Sequence, residues 1–479
     1  MSKIISTKKI ASNVFISVIA QAISLMVSLI ANLFIPKFGL TDKVQYSLWQ
    51  MFMLYQSYVG IVHFGLLDGM MLRYSKYDYE ELDKNLLRSQ MRVLLIFTAS
   101  ISLIMSAISL SFVGNTAYKI VFVLVAISIT VKNLFTYDSY TFQMTNRISK
   151  YARLIILQRV LYAVIIVALL LFKVNFFYAY CLAEIACDLY ATIISVSFNK
   201  DCFLGKGAEK QKIRSEIKEN IGAGVLLLIA VWSFIFIVNG ARMFIQWRWG
   251  DVVFGEVSLS FSISNMVLTF ATAISVVLFP SLKRVEEKNL SDIYAKIRSI
   301  LSVFLFFILL LYFPCYYFIK WWLPNYRNSL IYIGILFPII VFSSKVNLLT
   351  NSYLKVGRKE KIMAIINVSS IVLGVGVFSV CAYLFNNLII MLIGIIAVMV
   401  YNSLFAEICV IKMLNRKFDF NIVLEIVLTA VFLCSVYFLK IFIGALCYLL
   451  AFILYVAINY KSIKRMFSRV KTVNNNKQN

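Results

Sequence analysis

The sequence predicts an all-α, polytopic membrane protein: about fourteen transmembrane helices, as two pseudo-symmetric six-helix lobes plus a C-terminal helix pair. Three observations predict it. Of the 479 residues, 61% are apolar and 14% charged, against about half and a quarter in a soluble domain. The apolar residues fall in long runs of about 20 or more, enough to cross ~30 Å of hydrocarbon at 1.5 Å per residue. The two halves of the chain also repeat one another at an offset of about 210 residues.

The runs lie near 10–36, 45–70, 92–113, 117–142, 153–172, 175–198, 221–242, 252–280, 297–319, 328–354, 361–384, 387–411, 421–439 and 441–460. Ala20-Gln21-Ala22 imitates a signal-peptidase site, but the run continues to Ile35, so an uncleaved first span is expected. Only Lys440 separates the last two runs, leaving two full spans or a re-entrant pair open. The chain divides into residues 1–199 as a first lobe, 200–220 as a cytoplasmic linker, 221–411 as a second lobe, and 412–479 as the extra pair with a basic tail. In the linker Ile213, Ile217 and Ile221 recur at helical spacing, which suits an interfacial amphipathic helix or a plain charged connection.

The net charge is +25, but the basic residues sit in short caps between apolar runs, which argues against a nucleic-acid partner. With the N-terminus inside, 35 of the 47 Lys and Arg fall in inner segments, 9 in outer loops and 3 within spans. That bias places both termini in the cytoplasm. The outer loops are too short to carry an enzyme domain. No GxxxxGK[ST] loop, HExxH or metal cluster is present, so neither a cofactor nor a metal is expected. Seven of the eight cysteines lie in apolar runs and read as small buried hydrophobes.

The repeats are specific. Phe38-Gly39, Tyr46-Ser47-Leu48 and Arg73 correspond to Trp249-Gly250, Val257-Ser258-Leu259 and Arg284. Lys132 with Asp138-Ser139-Tyr140 corresponds to Lys345 with Asn351-Ser352-Tyr353. Parallel repeats of six spans point to transport, with a substrate site near midplane. Lys132 and Lys345 should then face each other between the lobes. Neither has a carboxylate at i±3 or i±4, and Lys345 is expected to lack an internal partner, so a cavity that receives an anion would resolve the cost of burying it. Arg159 can supplement them. Glu184 and Asp188, at i and i+4, form a candidate ion-coupling pair with His63 as a relay; alternatively Asp188 simply neutralises Arg159. Gly65 and Gly69 suit close helix packing or a gate, and Pro338 favours a bend.

Gly39, Tyr46-Ser47-Leu48-Trp49, His63-Phe64-Gly65-Leu66-Leu67-Asp68-Gly69 and Arg73-Tyr74 resemble the opening of Wzx-type O-antigen and capsular polysaccharide flippases. Gly255-Glu256-Val257-Ser258-Leu259 through Leu278-Phe279-Pro280-Ser281-Leu282-Lys283-Arg284 is similar to a second-half stretch of the same family. These belong to the multidrug/oligosaccharidyl-lipid/polysaccharide exporter superfamily. The resemblance implies a V-shaped two-lobe transporter in the bacterial cytoplasmic membrane, not an enzyme. Its cargo would be an undecaprenyl-pyrophosphate-linked oligosaccharide of lipopolysaccharide or capsule, moved to the outer leaflet by alternating access. Proton or sodium coupling, membrane lipids, a polysaccharide polymerase and a chain-length regulator are the partners it implies. Drug antiporters of the superfamily typically carry acids in the first span, and peptidoglycan-precursor flippases an arginine; residues 10–36 contain no charge. Both remain alternatives, with a membrane glycosyltransferase or polymerase and an inactive scaffold subunit further off.

Overall fold

The structure, a computed structural model, describes the backbone of residues 7–282 and 287–475, and the side chains of 16, 19–233, 235–266 and 290–460. The described chain is helical almost throughout and contains no strand. In order the helices are α1 (Thr7–Phe34), α2 (Lys43–Gln56), α3 (Leu66–Tyr74), α4 (Lys84–Phe112), α5 (Thr116–Met144), α6 (Ile148–Leu171), α7 (Phe177–Phe198), α8 (Lys200–Phe203) and α9 (Lys210–Leu282). They continue as α10 (Glu287–Ile308), α11 (Tyr312–Trp322), α12 (Arg327–Leu336), α13 (Ile339–Ser344), α14 (Asn351–Val356), α15 (Glu360–Ser379), α16 (Leu388–Met413), α17 (Asn421–Phe438) and α18 (Ile441–Asn475). Asp42, Asp83, Asn115 and Asn387 cap the helices that follow them, accepting from backbone N–H groups that would otherwise be unpaired.

Among the described residues, ten helical segments are long and apolar enough to cross a membrane, or up to twelve when each of two bent pairs counts as one span. Two of the fourteen expected stretches account for the difference. Residues 45–70 are helical but broken between α2 and α3 by a 3-10 turn at Val59–His63 and by left-handed Phe64 and Gly65. Residues 252–280 continue α9 past Gly250, whose φ of 81° interrupts the helix. Their side chains from 267 onward, with the family-like stretch ending at Arg284, lie outside the described residues. The expected bend at Pro338 is present: the segments Pro324–Leu336 and Ile339–Val356 meet at 47°. Proline lacks the N–H that would bond back to Gly334, and a wide π turn follows at Lys345–Thr350.

The chain forms two compact units: Met1–Ile235 with Gly250–Ser258, and Phe236–Trp249 with Leu259–Asn479. In the first, α4 packs along α5, α1 along α6, and α7 against both α5 and α6. The segment expected as a linker is helical from Lys210 and runs without a break into the seventh apolar stretch. Ile217 and Ile221 pack on a buried cluster that includes Leu67, Met70, Leu87 and Tyr137, so its apolar stripe is spent on the protein core. Lys212 pairs with Asp83 at 2.7 Å and holds that carboxyl below its ordinary range.

Gly65 and Gly69 are packing residues. A Cβ on Gly69 would lie 1.8 Å from the Asn220 carbonyl oxygen, and one on Gly224 would lie 2.0 Å from the Gly65 carbonyl oxygen. Three glycines thus bring α3 and α9 to backbone contact, the use that small residues have between membrane helices. Beside them Arg73 pairs with Glu216 at 2.7 Å and Glu219 at 2.6 Å. In the second unit α15 packs on α16, α17 on α18, and α12 against both α16 and α17.

Candidate functional site

Each unit contains an ionic cluster among its helices, built around one of the two lysines that the sequence repeat matches. In the first unit, Lys132 rises from the middle of α5 towards α7. Its Nζ donates to Asp188 Oδ2 at 2.8 Å and lies 3.8 Å from Glu184 Oε1. Arg159 on α6 places Nη1 3.5 Å from the same Glu184 oxygen. The i, i+4 spacing puts both carboxylates on one face of α7, between the two cations. The alternative pairing of Asp188 with Arg159 is corrected: Lys132 takes Asp188, and Arg159 takes Glu184.

Exposure separates these partners. The carboxylate side chains are 3% and 1% exposed, whereas Lys132 is 26% and Arg159 32% exposed. One face of each cation is therefore still accessible. Glu184 Oε2 and Asp188 Oδ1 are buried and have no protein hydrogen-bond partner, as is true of nearby Gln158 Nε2 and Tyr162 Oη on α6. Buried polar atoms in a native interior are normally partnered. The cluster therefore has hydrogen-bonding capacity left for a proton or a ligand.

In the second unit, Lys345 begins the π turn after α13 and is closed off. Its Nζ donates to Glu407 Oε2 on α16 at 2.8 Å and to Glu425 Oε2 on α17 at 2.5 Å. Arg298 on α10 donates through Nε to Glu407 and through Nη1 to Asp419 Oδ2 at 3.1 Å. Its Nη2 lies 3.3 Å from Glu425 Oε1, within ion-pair range but not aligned for a hydrogen bond. Tyr455 Oη donates to Glu425 Oε1 at 3.4 Å. The expectation that Lys345 lacks an internal partner is corrected, because two buried carboxylates hold it at 2% exposure. Sequence reasoning missed Arg298 and Glu425. The missed signal was that span six carries Glu184 and Asp188 while its repeat, span twelve, carries Glu407: in both units a lysine of the fourth helix of the repeat meets an acid of the sixth.

His63 does not join Glu184 and Asp188. It is buried at the break before α3, where Nδ1 accepts the Gly65 N–H at 3.2 Å and Nε2 lies 3.9 Å from Asp68 Oδ2. Among the described residues no group of three His, Cys, Asp or Glu side chains is arranged to hold a metal ion.

The sequence matches no protein-family model and no curated protein. The fold does match solved structures. One is a multidrug resistance MATE family transporter of the MOP superfamily in an inward-facing conformation: TM-score 0.59, 14% identity, 83% of this chain and 99% of the other. A second is the lipid II flippase MurJ in an inward closed conformation: TM-score 0.56, 13% identity, 95% of this chain and 99% of the other. A third is a point mutant of the Vibrio cholerae MATE transporter VcmN: TM-score 0.54, 14% identity, 85% of this chain and 97% of the other. The chain has the helical fold that these MOP superfamily transporters and the lipid II flippase share.

Proposed function

We propose that this protein is a flippase for an undecaprenyl-pyrophosphate-linked oligosaccharide, the repeat unit of a surface polysaccharide such as O-antigen or capsule, in the bacterial cytoplasmic membrane. The observation that carries this reading is the half-open cationic pair Lys132 and Arg159, tethered to carboxylates that no other cation among the described residues neutralises. A pyrophosphate can replace those carboxylates as the partner of the cations. Lysine is a compact point charge and arginine a two-pronged donor, and both suit phosphate oxygens. The fold is compatible with this reading, since a lipid II flippase and MATE transporters both match it.

Exchange of partners gives the site a coupling step. When the anion takes Lys132 and Arg159, Glu184 and Asp188 lose their counter-charges while still buried. Uncompensated buried charge is costly, so a coupling cation, a proton or sodium, takes the place of Lys132 and Arg159 beside the two carboxylates. Departure of the anion restores the ion pairs and releases that cation. Lys345 takes part only where its own two ion pairs open. His63 and Asp68 are a separate pair at the break in the second apolar stretch.

The test is transport of a labelled lipid-linked oligosaccharide by protein in proteoliposomes, alongside surface polysaccharide in cells. Lys132→Ala and Arg159→Ala each lower transport about tenfold or more, the effect of one charged hydrogen bond, without lowering the amount of protein. Lys132→Arg is milder. Alanine variants that insert normally and transport at the native rate sink the proposal. The buried acids themselves favour one second reading, a cation-coupled multidrug antiporter. That reading predicts that Asp188→Asn abolishes efflux of an organic cation, while the Lys132 variant keeps it.

A further inference from the structure

The first unit contains a cavity of about 720 Å³, within the ~300–1,000 Å³ range of small-ligand pockets. It opens where α1 and α6 end, away from the residues of the ionic cluster. Phe34, Val167 and Leu170 supply its apolar wall, and Lys37, Thr41, Lys173 and Asn175 its polar rim. Among the described residues that line it there is no carboxylate.

Local sequence explains the shape. Pro36 stands in the first turn of the π-helical segment Ile35–Gly39 that ends α1. A Cβ on Gly39 would lie 2.1 Å from Tyr180 Oη, so only glycine lets the chain press against α7 there. Lys173, with φ of 51°, turns the chain out of α6. Lys37 and Lys173 are the first cations after the apolar runs 10–36 and 153–172, which puts both at the depth of lipid headgroups. Exposed Phe38, Phe172 and Phe176 stand beside them in the chain. Exposed Val164 and Leu171 carry the apolar surface on along α6 towards the middle of the membrane.

We infer that this cavity seats an anionic phospholipid, with its phosphodiester between Lys37 and Lys173 and acyl chain along the apolar wall. A small inorganic anion would leave the wall unfilled. A zwitterionic lipid would bring its own cation against two lysines. The occupant is a resident lipid of the surrounding leaflet, and the inference does not depend on what the protein transports.

The experiment measures thermal unfolding and retained lipids, by native mass spectrometry, of the purified full-length protein. Dioleoylphosphatidylglycerol, dioleoylphosphatidylcholine and inorganic phosphate are compared. The phosphatidylglycerol raises the melting temperature and stays bound, whereas the other two do neither. Each lysine contributes about five-fold in affinity near a membrane surface. The double variant Lys37→Gln, Lys173→Asn therefore binds phosphatidylglycerol about 25-fold more weakly, and Lys37→Arg with Lys173→Arg retains binding. Asparagine tolerates the left-handed backbone at 173, so Lys173→Asn alone serves if the double variant fails to fold, and reads about five-fold. Equal binding of phosphatidylcholine, an equal effect of inorganic phosphate, or unchanged affinity in the lysine variants would each overturn the inference.

Discussion

Lys132 and Lys345 occupy matching places in the sequence repeat, yet their surroundings differ. Lys345 and Arg298 against Glu407 and Glu425 form a two-to-two arrangement with almost no access to solvent. Removing one member of a buried pair strands the other charge, at a cost of about 3–5 kcal/mol. Lys345→Ala should therefore lower protein level and melting temperature, and Lys345→Ala with Glu425→Gln should recover part of the loss. Lys132→Ala should lower the melting temperature less and reduce transport, because Lys132 is 26% exposed and water can reach the Asp188 carboxylate that it leaves unpaired, whereas Lys345 is 2% exposed. Fluorescence-detected size exclusion after heating distinguishes the two; equal thermal losses would contradict the assignment. The repeat spacing alone identified both lysines. It could not identify their partners, since Lys345 and Glu425 are 80 residues apart in the chain and an i, i+4 rule sees only one helix. The choice between Lys132 and Arg159 as partner of Asp188 was also invisible, because it depends on how α5, α6 and α7 are rotated.

At the scale of elements, apolar runs marked helices well and their interruptions less well. Pro338 announced its bend through a missing donor, whereas the break after α2 rests on left-handed Phe64, a residue type that gives no local warning. The spacing of Gly65 and Gly69 raised close packing, but the partner surface, Asn220 to Val225 on α9, lies about 150 residues away and straddles the end of the segment that read as linker and the start of the seventh apolar run. The amphipathic stripe of that segment was legible. Its destination was not, because a stripe looks the same whether it meets protein core or lipid. Gly222 and Gly224 give an internally controlled test. A Cβ at 222 meets nothing within 4 Å, while one at 224 meets backbone at 2.0 Å and 2.3 Å. Gly224→Leu should cost about 1–3 kcal/mol through overpacking, with Gly222→Ala neutral or slightly stabilising. The comparison is read as the difference in melting temperature between the two purified variants.

For the whole molecule, the distribution of charge makes the sharpest statement. Basic residues alternate in density from one loop to the next, and 35 of 47 fall on one side when the N-terminus is placed inside. Insertion leaves Lys- and Arg-rich loops in the cytoplasm, so Lys210 at the start of α9 should be inside and Lys440, between α17 and α18, outside. Both lie outside the apolar runs, and both are exposed, so a cysteine at either can be reached by a reagent. The native cysteines are all free, with Cys434 and Cys447 exposed, so they are first replaced by serine or alanine. In intact cells a membrane-impermeant maleimide should modify Lys440→Cys and spare Lys210→Cys until the cells are lysed. Labelling of position 210 from outside would invert the whole topology. It would also exchange the sides assigned to the lipid cavity and the Arg73 cluster, because Lys37 and Lys173 share the expected side of Lys440, and Arg73 that of Lys210.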